Sequence, residues 1–183
     1  MFKTQPYVST KVWGYEKWIV SAYAAGQSYV DPQTEFIGGK ELSRIIGSDY
    51  PLLIKILQAD GTLSIQVHPD DAYALEHQEP NGKTECWYVL DAVENATLIC
   101  GFNNAYSMDE IKKAIQDKSL ESYVQKISVQ KGDFIFIPAG TIHSIQGGLR
   151  LLEIQQASDT TYRLYDWGRP REIHVEKGTE VIK

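Results

Sequence analysis

The chain is written in short apolar runs with strand-like alternation, each stopped by glycine or proline, and this constrains the fold more than any other feature. About ten such runs can be read, including 18–23, 52–57, 63–68, 83–90, 96–101, 123–129, 134–137 and 151–156, against one clear helix at 107–116. Many short strands joined by Gly/Pro turns predict a mainly β fold, an antiparallel jelly-roll barrel with a few short helices. Such barrels place ligands inside, where inward side chains from several strands meet.

With 183 residues the chain is long enough to bury a core, and it is expected to form one domain spanning 1–183. The formal net charge of −6 argues against nucleic acid or an anionic membrane as partner, so small-molecule chemistry is expected. Met1 to Pro6 open no apolar segment of signal-peptide length, and no run approaches a membrane span, which predicts a cytoplasmic protein. Cys86 and Cys100 lie outside any Cys-x-x-Cys pattern and are expected as two buried, reduced thiols. Oligomeric state is open, a homodimer included.

Residues 63–71, Leu-Ser-Ile-Gln-Val-His-Pro-Asp-Asp, supply the first candidate site. Along a strand Ile65 and Val67 face a core while Ser64, Gln66 and His68 share the other face, and Pro69 ends the ladder. The turn at 59–61 joins this stretch to the apolar run at 52–57 as a hairpin-like unit. Lys55, alone in that run, either snorkels outward or serves a site. Lys83, Glu85 and Trp87 alternate onto one face, setting an ammonium beside a carboxylate. The strand at 134–137 runs into Pro138-Ala139-Gly140, a turn able to bring His143 to the same barrel end as His68. A short helix is expected at 39–47, another around 71–75, and Ser107 with Glu110 has capping-box spacing ahead of an apolar face at Met108, Ile111 and Ile115.

Two imidazoles, a carboxylate and an amide oxygen suit a divalent ion such as Zn²⁺, with positions left for water or substrate. Singly, each has an ordinary structural role: a hydrogen-bonded wall histidine, a Glu85–Lys83 pair, a Gln66 bound to a neighbouring strand. The Gly-x5-Pro-x-Gly-x2-His spacing from Gly132 to His143 favours the metal reading and resembles the second motif of the cupin barrel, although Gly147 stands where that motif ends in asparagine.

Four ordered stretches carry a narrower resemblance: Gln66-Val67-His68-Pro69, Gly82 to Tyr88, Pro138 to His143, and Gln155 to Asp166. Together they resemble the type I mannose-6-phosphate isomerases, in their short bacterial branch, from about Trp13 onward. The resemblance implies Gln66, His68, Glu85 and His143 as ligands of one zinc ion per chain, and an aldose–ketose isomerisation of mannose 6-phosphate and fructose 6-phosphate through a cis-enediolate. It implies Arg163 as the active-site cation, Glu153 as a carboxylate proposed for proton transfer, Lys83 and Asp159 as further site residues, and Lys55 and Ser64 near the substrate phosphate. Relatives of this branch continue past the segment resembling 172–177 into a second β-domain, whereas this sequence stops at Lys183. A metal-containing, sugar-phosphate-binding cupin without catalysis is the alternative expectation, and an iron-dependent oxygenase fits less well because Gln66 stands where many cupins place histidine.

Overall fold

A computed structural model describes residues 2–183. Its strands are β1 (Thr4–Gln5), β2 (Tyr7–Lys11), β3 (Gly14–Val20), β4 (Tyr29–Val30), β5 (Leu52–Ala59), β6 (Ile65–Val67) and β7 (Glu85–Ala92). The later strands are β8 (Thr97–Phe102), β9 (Val124–Ser128), β10 (Phe134–Ile137), β11 (His143–Ile145), β12 (Leu149–Gln156) and β13 (Tyr162–Tyr165). Helices α1 (Ser43–Ile46), α2 (Asp71–Glu76), α3 (Met108–Gln116) and α4 (Val175–Val181) interrupt them.

The strands form a six-stranded sheet in the order β10-β7-β12-β5-β3-β2 and a five-stranded sheet in the order β13-β6-β11-β8-β9, with β1 and β4 as a separate pair. Every pairing is antiparallel, as the alternating runs predict.

Two cores follow from this layering. Between the sheets, Trp13, Leu57, Trp87, Val89, Leu98, Ile137, Leu149 and Leu151 pack into one cluster. On the outer face of the five-stranded sheet, Ile65, Val67, Ile99 and Leu164 pack beneath Ile111, Ala114 and Ile115 of α3 and Val181 of α4. Ile65 and Val67 thus enter a core, but the outer one, which turns Gln66 and His68 into the barrel. Ser107 caps α3 with the expected box: its hydroxyl accepts from Glu110 N, and the Glu110 carboxylate accepts from Ser107 N at 2.8 Å. Met108, read as part of the apolar face, is exposed at the first turn.

One expected connection is different. The turn at 59–61 does not close a hairpin, because β5 pairs with β3 and β12 whereas β6 pairs with β11 and β13 in the other sheet. Asp60 N and Gly61 N both donate to Trp13 O, and Leu63 N donates to Ile145 O, so the chain is pinned as it crosses between sheets. Gly14 permits this corner: at φ +144° a Cβ there would lie 1.9 Å from Gln58 O. The Pro138–Gly140 turn also crosses between sheets, and Gly140 N donates to His68 O at 2.9 Å. Cys86 and Cys100 are free as expected, but partly exposed rather than buried.

Candidate metal centre

β6, β7 and β11 converge at one end of the barrel, and the register His143↔Gln66 sets His143, at the start of β11, beside His68, just past the end of β6. The His68 and His143 rings lie 4.8 Å apart, and one ligand atom each from His68, Glu85 and His143 falls within 4.8 Å of the others. All three side chains are buried.

Hydrogen bonds fix the imidazole tautomers. His68 Nδ1 donates to Thr160 O at 2.9 Å and His143 Nδ1 donates to Thr141 O at 2.8 Å, so each Nε2 carries a lone pair turned towards the centre of the cluster. Those lone pairs face the same carboxylate: His68 Nε2 is 3.6 Å from Glu85 Oε2 and His143 Nε2 is 3.3 Å from Glu85 Oε1. Glu85 Oε1 receives no hydrogen bond, and Oε2 has only the Lys83 ammonium beside it, at 3.1 Å. Lone pair against lone pair in a buried site calls for a cation; the Lys83 ammonium reaches His68 Nε2 and Glu85 Oε2 but not the facing pair of Glu85 Oε1 and His143 Nε2, and the donor set as a whole fits a divalent metal.

Burial, aided by the Lys83 and neighbouring His143 charges, keeps the His68 imidazolium disfavoured, far below the usual histidine range. His143 is lowered to about 4, mainly by burial. Both are therefore neutral imidazoles at physiological pH, the form that can ligate a metal. Lys83 Nζ donates to His68 Nε2 at 3.0 Å and stands 3.1 Å from Glu85 Oε2, the pairing that alternation predicts. Burial works against that ammonium, but Glu85 and Glu153 outweigh it and raise Lys83 above the usual lysine value.

Gln66 joins the cluster through its nitrogen. Its Nε2 donates to His143 Nε2 at 3.3 Å while its Oε1 accepts from Ser64 Oγ at 3.1 Å. An amide turned over about its last torsion would present the oxygen instead.

A cavity of about 420 Å³ opens onto this cluster, lined in part by Gln66, Lys83, Glu85, Glu153, Asp159 and Arg163. The two imidazoles lie just behind that lining. Glu153, on β12, accepts from Trp87 Nε1 at 3.0 Å through Oε1 and pairs with Lys55 at 3.3 Å through Oε2. Lys55 therefore points inward rather than snorkelling, 5.0 Å above the Trp18 ring and 3.8 Å from Glu16. Arg163, on β13 and opposite Gln66 in register, donates through Nη1 to Glu172 O at 2.9 Å. Its buried Nε has no partner, and it pairs with neither Asp159 nor Asp166. Burial first, then the like charge of Arg171, lowers Arg163, which remains a cation. Asp159 sits at the rim, where it accepts from Tyr23 OH at 2.7 Å.

The structure thus brings every singled-out residue to one place: His68, Glu85 and His143 form the buried cluster, and Lys55, Ser64, Gln66, Lys83, Glu153, Asp159 and Arg163 line the cavity beside it. Sequence reasoning missed Glu16 and Arg171, which also line the cavity. Glu16 alternates with Trp18 on the inner face of β3, a pattern that was readable. Arg171 lies in a loop without periodicity, clamped to Asp166 through Nε at 2.6 Å.

Comparison with known proteins agrees with this geometry. A sequence profile of the phosphomannose isomerase type I catalytic domain matches residues 4–105. The mannose-6-phosphate isomerase of Streptococcus mutans is 42% identical over 184 residues, covering 91% of this chain and 57% of that protein. The mannose-6-phosphate isomerase ManA of Bacillus subtilis is 41% identical over 186 residues, covering 92% of this chain and 58% of that protein. The chain therefore spans somewhat more than half the length of the curated relatives it matches. The crystal structure of the mannose 6-phosphate isomerase from Bacillus subtilis superposes with a TM-score of 0.91 at 33% identity, covering 100% of this chain and 68% of that one.

Proposed function

The chain belongs to the type I phosphomannose isomerase family, and from that premise we propose that residues 1–183 act as one catalytic domain interconverting mannose 6-phosphate and fructose 6-phosphate. The observation that carries this reading is the buried cluster of His68, Glu85 and His143, with the Glu85 carboxylate set between two imidazole Nε2 lone pairs at the wall of a charged cavity. We assign it one zinc ion, held by these three residues and by Gln66 once its amide oxygen is turned inward. Bound zinc would polarise and orient the sugar oxygens as a Lewis acid.

The remaining work falls to the chain's own residues. Isomerisation removes the proton from C2 of the aldose and returns one to C1, while a hydroxyl proton passes between O2 and O1 of the cis-enediolate. Glu153 is assigned the carbon-bound proton, because Trp87 and Lys55 hold its two oxygens in one orientation at the cavity wall. Arg163, a cation with no carboxylate partner, is assigned to the negative charge that develops on the enediolate oxygens. Lys83 adds a second positive charge beside the ligands, and Asp159 closes the rim. Ser64 and Lys55 are assigned to the phosphate end on the family likeness; the ion pair with Glu153 gives Lys55 a structural duty as well. A doubly charged sugar phosphate does not cross a bilayer, which supports a cytoplasmic site of action. No helix among the described residues is long and apolar enough to span a membrane.

Metal analysis and a coupled isomerase assay on one sample test the proposal. About one divalent ion per chain with turnover of mannose 6-phosphate is expected. Binding of the sugar phosphate without solvent-deuterium incorporation at C2 would favour the binding-only alternative.

A further inference from the structure

β13 is an edge strand of the five-stranded sheet, so on one side its main-chain groups have no neighbouring strand. Amides and carbonyls on such an edge need partners from elsewhere when water is kept from them. At Arg163 the partner is His174. His174 N donates to Arg163 O at 2.8 Å, and Arg163 N donates back to the imidazole Nδ1 of His174 at 3.1 Å. A third contact holds the side chain itself, as Arg163 Nη1 donates to Glu172 O at 2.9 Å. Residues 172–174 thus grip the strand's backbone and the guanidinium it carries at once.

An ordinary antiparallel bridge closes with two main-chain bonds, whereas here a side-chain nitrogen takes the place of one carbonyl. An imidazole accepts only through its unprotonated nitrogen, which puts the ring proton on Nε2, 3.7 Å from Glu172 Oε2. Burial, opposed by the Glu172 carboxylate and aided by the Arg163 and Lys177 charges, holds His174 below the usual histidine range, so the accepting neutral form is present at physiological pH. The grip is anchored from behind. His174 opens α4, Gly178 N donates to His174 O at 2.9 Å, and α4 lies so close on β13 that a Cβ at Gly178 would strike Leu164 Cδ2. Asp166, bonded by Arg169 and Arg171, ties down the loop between β13 and residues 172–174.

Arg163 lines the cavity and, on the isomerase reading from which this inference starts, meets the charge that develops on the enediolate oxygens. A guanidinium on a long, flexible side chain does that work only if it is held, because a misplacement of about 1 Å can cost about a hundredfold in rate. The sheet does not supply the hold, since β13 loses register with β6 between Arg163 and Tyr165. A carboxylate partner would fix the guanidinium but offset its charge. A carbonyl and an imidazole fix it and leave the charge available to the substrate. We propose that His174 is a positioning residue: together with Glu172 O it clamps Arg163 at the cavity wall, and it acts on the reaction through Arg163 alone.

Two measurements on the same variants test this. Arg163 Nε is buried, so a clamped guanidinium should give a resolved, slowly exchanging nitrogen–proton NMR signal, assigned by its loss in Arg163→Ala. His174→Leu should speed that exchange by about tenfold or more, whereas His174→Asn, whose amide oxygen stands where Nδ1 does, should preserve it. In turnover of mannose 6-phosphate, His174→Leu should lower kcat by about tenfold or more at unchanged metal content, and His174→Asn should recover most of that loss. In an Arg163→Ala background His174→Leu should cost nothing further, while a merely structural role would add its cost in both backgrounds. A zinc-loaded wild type that does not isomerise overturns the isomerase reading, and the exchange rates then still decide the clamp. A signal indifferent to His174→Leu, a signal lost in His174→Asn, or a kcat loss that persists in the Arg163→Ala background overturns the proposal.

Discussion

Lys55→Met removes the cation that the structure places between two carboxylates and leaves the packing of its stem nearly unchanged. The Lys55 side chain is 6% exposed, with Glu153 at 3.3 Å and Glu16 at 3.8 Å. Deleting one partner of a buried ion pair leaves an uncompensated charge, which costs about 3–5 kcal/mol. Glu16 keeps Lys11 at 3.8 Å, so Glu153 bears most of that cost. In a chain of this size the loss lowers the melting temperature by roughly 6–20 °C. Urea unfolding in excess chelator isolates the effect from metal binding. Adding Glu153→Gln should recover about 1–3 kcal/mol as coupling energy, because the stranded charge disappears while Trp87 Nε1 keeps an acceptor. A loss under about 1 kcal/mol would refute the buried-pair reasoning. A raised KM at unchanged stability would instead make Lys55 a phosphate contact alone.

Arg163→Ala should lower kcat strongly, by about 100-fold or more, while metal content stays at the wild-type level; loss of metal from that variant counts against its assigned role. Metal-free protein should lose stability as pH falls from about 6.5 towards 4, because the unfolded chain takes up protons on His68 and His143 that the folded chain refuses. His143 alone contributes roughly 3 kcal/mol over that window, read by acid titration in chelator, and a flat profile would contradict it. Gly14→Ala should cost about 3 kcal/mol or more, or prevent folding, since its Cβ would collide with Gln58 O at 1.9 Å; chemical denaturation measures it. Chelation should lower the melting temperature of wild type but leave Glu85→Gln nearly unmoved, as seen by thermal scans with and without added zinc.

Much of the fold and site was legible in local sequence. Alternation alone put Leu151, Glu153 and Gln155 on one face of β12, and the structure buries all three. The capping box at Ser107, the glycine stop at Gly47 and the pairing of Lys83 with Glu85 are likewise local consequences of spacing. Long-range partners were not legible. Nothing near Ala59-Asp60-Gly61 says that its amides bind Trp13 O, so the crossing between sheets reads as a hairpin until the sheets are assembled. The inward turn of Lys55 depends on Glu153, almost a hundred residues away, and the orientation of Gln66 depends on Ser64 and His143 together. Arg171 escaped because loops carry no period, and its role at the cavity follows from a clamp on Asp166.

Solvent-deuterium exchange into the sugar phosphate, run on chelated protein and again after zinc is restored, reads out whether the metal cluster carries the isomerisation. No exchange and no turnover are expected without metal, and both should return, with deuterium at C2 of mannose 6-phosphate, when about one zinc per chain is bound. A folded protein with zinc seated on His68, Glu85 and His143 that neither exchanges nor isomerises the sugar phosphate would contradict it.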